Sequence, residues 1–234
     1  NREWFGNFGF QHQVMDIMVL RLASTKAETT LKGDLGLMCD LQFEEYSCRK
    51  VAILQSKVSR GDEVSLDAKQ YHQLDTLAAK PGIGYYAFYQ SDQSDHSCAS
   101  ITIRSATDVH NELTDFGRYS YYEGDIPSWT VSTVSDALDF PTFLALGLGD
   151  SSSGIGACYS DLEDGISKLS EGDDGLKLPD YVCIYSAGSK INEIALKRMR
   201  SLGYVPELEL REKQRLQEQE HQQRPSPPEL ELGF

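Results

Sequence analysis

The sequence predicts an α/β domain with a central mixed sheet flanked by helices. Three observations predict it. Between residues 32 and 43 the odd positions Leu35, Leu37, Cys39, Leu41 and Phe43 are apolar. Asp34, Asp40 and Gln42 alternate with them, Met38 being the exception. That period of two marks a half-buried strand. A second apolar run, Val51-Ala52-Ile53-Leu54, ends in Gln55-Ser56-Lys57. Finally, a helical stripe over 65–80 leads straight into Tyr85-Tyr86-Ala87-Phe88-Tyr89, so strands and helices alternate along the chain.

Segment 4–10 is rich in Gly and aromatics and reads as an irregular lead-in. Over 10–23, Phe10, Val14, Ile17 and Met18 follow i, i+4, i+7, i+8 spacing, which predicts a buried helix. The alternating strand comes next, then a hairpin turn over 44–50 and the Gln55-x-Lys57 strand. Segment 59–64 reads as a polar loop. A helix over 65–80 follows, with Ser65 as its cap and Pro81-Gly82 as its stop. Strands are expected over 85–89 and 99–104, a short helix over 108–116, and a strand or extended segment over 129–136.

Residues 147–156 carry four glycines but lack the Lys-Ser/Thr of a phosphate-binding loop. Gly149-Asp150-Ser151 also lacks a nearby histidine base, the one downstream histidine being His221. The segment reads as a flexible surface loop. Segment 161–175 reads as acidic and solvated, 181–185 as a strand, and 189–202 as a helix. From residue 207 the composition turns to Glu, Gln, Arg and Pro, which predicts a disordered tail over 207–234. The expected organisation is one domain over 1–206, with a core over 5–90 and an acidic elaboration over 91–206.

The net charge is −14, unevenly spread. Residues 1–90 hold 10 Lys and Arg against 11 Asp and Glu, while residues 91–206 hold 8 against 18. Such a balance argues against simple non-specific DNA binding, which needs clustered cations. Lys190, Lys197, Arg198 and Arg200 form the one basic cluster. No run is apolar enough to span a membrane, since Asp16 and Arg21 interrupt 14–22. No signal-peptide pattern is read, and a cytoplasmic location is expected. The five cysteines contain no C-x-x-C pair and read as reduced thiols rather than a zinc site.

Asp34, Gln55 and Lys57 carry the chemistry. Gln55 and Lys57 lie two residues apart and leave the same face of their strand. Asp34 on the neighbouring strand can converge with them. A carboxylate and an amide oxygen suit a hard cation such as Mg²⁺, which takes one or two carboxylates plus phosphate and water. A nearby lysine can orient a water or stabilise developing charge. Glu28 is the best additional acid; Glu3 and Asp40 are weaker choices. Asp40 shares the parity of Asp34 but lies about 20 Å along the strand. Asp34 and Lys57 equally fit a cross-strand ion pair at a sheet edge.

Gly33-Asp34, Gln55 and Lys57, in this order of elements, resemble the restriction-endonuclease-like PD-(D/E)xK nucleases. The match is to the variant with Gln in place of the second acid, as in Mrr-like and related phage-defence nucleases, and it covers roughly residues 5–90. The resemblance implies a metal-dependent endonuclease hydrolysing phosphodiester bonds of DNA in a prokaryotic anti-phage system. Asp34, Gln55 and Glu28 would hold Mg²⁺ or Mn²⁺, and Lys57 would act on the water. Arg60, Gln73, Lys190, Lys197, Arg198 and Arg200 are the candidate DNA contacts. DNA binding is expected to be local, or assisted by a protein partner or homo-oligomerisation. The competing reading is an inactive nuclease-like fold serving as a scaffold subunit.

Overall fold

The computed structural model describes residues 15–22, 34–59, 61–90, 100–116, 119–120, 128–170, 178–189 and 191–222. Strand β1 (Met15–Leu22) opens them, where the sequence predicts a helix. The alternative pattern in the same residues won: Leu20 is fully buried while Ile17 and Val19 face outward. β-Branched side chains favour extended backbone, and long-range pairing decides between the two periods. The hairpin of β2 (Leu35–Phe43) and β3 (Tyr46–Ser59) is as expected, except that its turn is short and β3 begins earlier.

Strand β4 (Glu63–Asp67) replaces the first turn of the predicted helix, so helix α1 (Ala68–Ala78) starts later. Asp67, not Ser65, caps it. The Asp67 carboxylate accepts from Gln70 N at 2.8 Å, and the Gln70 side chain accepts from Asp67 N at 3.0 Å. Strand β5 (Gly84–Gln90), β6 (Ile101–Ser105) and helix α2 (Ala106–Phe116) follow as the pattern predicts. Short strands β7 (Tyr119–Ser120), β8 (Ser128–Ser132) and β9 (Leu138–Asp139) come next. One turn of helix, α3 (Phe140–Thr142), then passes into a π-helical segment (Phe143–Leu148).

Strand β10 (Ala157–Cys158) precedes helix α4 (Leu162–Leu169), which lies in the stretch expected to be solvated. Ile166 and Leu169 are each 1% exposed, so the acidic residues form one face of a packed helix. Strand β11 (Tyr181–Ala187), helix α5 (Ile191–Ser201) and strand β12 (Tyr204–Pro206) follow. The expected disordered tail begins instead as helix α6 (Glu207–Gln222). Glu, Gln, Leu and Arg are strong helix formers. Arg211 pairs with Glu207 one turn away at 3.0 Å, and Arg200 pairs with Glu209.

The main sheet runs β12-β1-β11-β2-β3-β5-β6-β9, with β10 paired to β3. It is mixed: β11 is parallel to β2 and β3 to β5, while β1–β11, β2–β3 and β5–β6 are antiparallel. A second sheet, β4-β8-β7, stands apart. One face of the main sheet packs Met38, Ile53, Tyr86 and Ile184 against Leu74 and Leu77 of α1, Ile166 of α4 and Met199 of α5. The other packs Leu37, Ala52, Leu54 and Tyr85 against Phe143 and Leu148. Gly84 sets the close approach of β5 to α1, because a Cβ there would stand 2.5 Å from Leu77 O. Among the described residues no helix is long and apolar enough to cross a membrane.

The glycine-rich segment 147–156 is anchored rather than free. Lys50 is 1% exposed. Its ammonium donates to Asp150 O at 2.5 Å, Ser153 O at 2.7 Å and Ser153 Oγ at 2.9 Å. Cys48 Sγ donates to Leu148 O at 3.4 Å, and Gly156 N donates to Tyr85 Oη at 3.1 Å.

Candidate functional site

Asp34 stands one residue before β2, held by a strand on each side. Its N–H donates to Leu54 O of β3 at 2.9 Å, and its C=O accepts from Tyr181 N of β11 at 3.1 Å. The alternation of β2 and β3 then places the side chains of Asp34, Gln55 and Lys57 on the face that carries Met38 and Ile53. Asp34 Oδ2 accepts two hydrogen bonds, from Gln55 Nε2 at 2.9 Å and from Ser56 N at 2.7 Å. Among the described residues none reaches Oδ1. The carboxylate is therefore fixed by one oxygen and offers the other.

Gln55 is 6% exposed, and its Oε1 has no hydrogen-bond partner among the described residues. The amide is turned by its bond to Asp34, which leaves the acceptor oxygen pointing into buried space. Lys57 lies two residues further along β3, half-buried. Burial pulls its pKa below the usual lysine value; the carboxylates of Asp34 and Asp67 oppose that pull, and Lys69 adds to it. In the next strand Tyr86 pairs in register with Gln55, and Phe88 with Lys57. Tyr86 is 0% exposed, and among the described residues its hydroxyl also lacks a partner. Burial, and then the Asp34 carboxylate, push the hydroxyl's pKa up.

The donor set fits a hard cation. Asp34 Oδ1 and Gln55 Oε1 are two free oxygens, one charged, beside a cation-bearing lysine, and the orphaned Gln55 Oε1 is the observation that tests the fit. Among the described residues no cluster of three His, Cys, Asp or Glu could hold a metal. Any site here thus rests on the mixed carboxylate and amide pair, with the balance of ligands from phosphate and water.

Glu28, Arg60 and Lys190 lie outside the described residues. Gln73 lies half-buried on α1, and among the described residues no hydrogen bond joins it to Asp34, Gln55 or Lys57. Two of the four residues of the basic cluster are paired with acids. Arg198 makes a two-pronged pair with Glu163, Nε to Oε1 at 2.8 Å and Nη2 to Oε2 at 3.0 Å. Arg200 pairs with Glu209, while Lys197 is exposed. Asp40 serves elsewhere: it accepts from Gln42, Arg49 and Ser189 at 2.7, 3.2 and 2.8 Å.

Sequence reasoning missed two residues. Asp67 is read there as a helix residue but stands at the end of β4, within electrostatic reach of Lys57. Tyr86 reads as one of several strand tyrosines, and the register of β5 against β3 is what singles it out. No protein-family model, curated protein or solved structure matches the chain.

Proposed function

We propose that the chain is a metal-dependent endonuclease that hydrolyses phosphodiester bonds of DNA with Mg²⁺ or Mn²⁺. The observation that carries this reading is the convergence of Asp34 and Gln55, each with one unbonded oxygen, on a lysine whose pKa is depressed. The resemblance to the Gln-containing PD-(D/E)xK nucleases supports the choice of substrate, and it alone suggests an anti-phage role in a prokaryotic cytoplasm.

In this reading Asp34 Oδ1 and Gln55 Oε1 hold the ion. When bound, the ion supplies a Lewis acid for the phosphoryl oxygen and acidifies a water. Ser56 N and Gln55 Nε2 keep the Asp34 carboxylate from rotating. Lys57 orients the attacking water and offsets charge that builds on the phosphate as the bond to the leaving oxygen breaks. Because Lys57 is half-buried, that interaction is less screened than it would be in bulk water.

The second reading is an inactive scaffold subunit. The net charge of −14 and the pairing of Arg198 and Arg200 favour it, since both leave little cationic surface for a phosphate backbone. Plasmid cleavage with Mg²⁺ or Mn²⁺ decides between them. The wild type is expected to nick or cut, and Lys57→Ala, at matched fold stability, to lose about 10²-fold or more in rate. Equal cutting by both proteins would sink the assignment of the site. No cutting by either, with no metal uptake by the wild type in a calorimetric titration, would favour the scaffold.

A further inference from the structure

Two neighbouring residues at the candidate centre each carry a buried polar atom that has no partner among the described residues. Gln55 is 6% exposed and Tyr86 is 0% exposed. Among the described residues, neither Gln55 Oε1 nor the Tyr86 hydroxyl has a hydrogen-bond partner. The two residues are register partners on parallel β3 and β5, so their side chains leave the same face of the sheet. The Asp34 carboxylate lies close enough to act on the Tyr86 hydroxyl through space.

A buried hydroxyl with nothing to bond is unfavourable, and phenylalanine has the same shape without that burden. The ring itself is well placed, stacked on Phe88 at a centroid distance of 5.8 Å. Packing accounts for the ring and leaves the oxygen unexplained. The neighbouring amide does not satisfy it, because Gln55 Nε2 is committed to Asp34 and Oε1 makes no bond to the hydroxyl. Two orphaned atoms on one face of the sheet call for a small polar ligand that bonds to both.

We propose that Tyr86 is a positioning residue of the Asp34–Gln55 cation site, its hydroxyl oxygen accepting a hydrogen bond from a water ligand of the divalent ion. The inference rests on the nuclease reading's metal site but names a residue and a role beyond it. A small hard cation keeps several of its waters, and the O–H groups of those waters need acceptors around them. Hydroxyl and amide groups beyond the direct ligands orient the ligand shell, and their loss costs about 10- to 100-fold in affinity.

The test is a calorimetric titration with Mn²⁺ alone, no DNA present, on the wild type, Asp34→Ala and Tyr86→Phe, together with metal-free thermal melts. Tyr86→Phe is expected to bind Mn²⁺ about 10-fold or more weakly. Its metal-free melting temperature should equal or exceed that of the wild type, since only an unbonded oxygen is removed. Wild-type affinity in Tyr86→Phe, with binding lost in Asp34→Ala, overturns the role of Tyr86 and leaves the metal site standing. Undiminished binding by Asp34→Ala, or none by the wild type, overturns both. A metal-free melting temperature that falls in Tyr86→Phe would show that the hydroxyl already has a structural partner, and would also overturn the inference.

Discussion

Gln55 is the residue at which charge can be added to the site most directly. Gln55→Glu would set a second carboxylate beside Asp34, where the amide now donates at 2.9 Å. Without metal the two like charges repel and the bond is lost; with metal they share the ion. The variant is expected to melt lower than the wild type in chelator and to gain more from Mn²⁺, which paired thermal melts would show. Lys57 gives a second test. A lysine with a depressed pKa binds fewer protons folded than unfolded between the two values. Its contribution to stability therefore rises with pH across that window. It is complete above the unfolded value of about 10.4 and lost as pH falls through the lowered one. Lys57→Met should accordingly be the more stable protein in urea at pH 7, with its advantage shrinking towards pH 10. An advantage independent of pH would show that Lys57 is not held at a cost.

At the scale of elements, two anchors carry the architecture around the site. Gly84 lets β5 meet the end of α1, and a Cβ would strike the Leu77 carbonyl at 2.5 Å. Gly84→Ala is expected to cost about 1–3 kcal/mol in urea unfolding and to displace Tyr86 with the strand. Lys50 ties segment 147–156 to β3 through three acceptors. Lys50→Met should cost about 2 kcal/mol and make that segment the first to be nicked by protease.

Legibility follows the same division. The β2–β3 hairpin could be read because Leu35, Leu37, Cys39 and Leu41 alternate without interruption, and parity alone brings Asp34, Gln55 and Lys57 to one face. Strand β1 could not, because Met18 and Leu22, four residues apart, satisfy both periods and only pairing with β11 separates them. Lys50 was read as turn because a buried ammonium held by backbone carbonyls leaves no local signal. Tyr86 became visible only once the register of two distant strands was set. For α6, the same Glu- and Gln-rich composition suits a solvated helix and a disordered tail, and pairs such as Arg200–Glu209 favour the helix.

Taken as a whole, the molecule is expected to bind polyanions weakly. Its charge of −14 repels DNA at long range, and Arg198 and Arg200 are already paired. Fluorescence anisotropy with a short duplex should show weak binding in chelator, tightening with Ca²⁺ or Mn²⁺. The slope of log affinity against log salt should be shallower than about −3, as few phosphates meet a free cation. A steep slope, like that of a basic DNA-binding domain, would place the contact surface elsewhere.

Strand β11 lies between β1 and β2, and it is Tyr181 that closes the bond to the Asp34 carbonyl. In a chain made from its N-terminus, Asp34, Gln55 and Lys57 all leave the ribosome long before the strand that completes their setting. A nascent chain halted before Tyr181 would hold Asp34, Gln55, Lys57 and Tyr86 and still lack the strand that bonds the Asp34 carbonyl. Late synthesis of one central strand thus leaves the Asp34 backbone bonded on one side alone until β11 has been made.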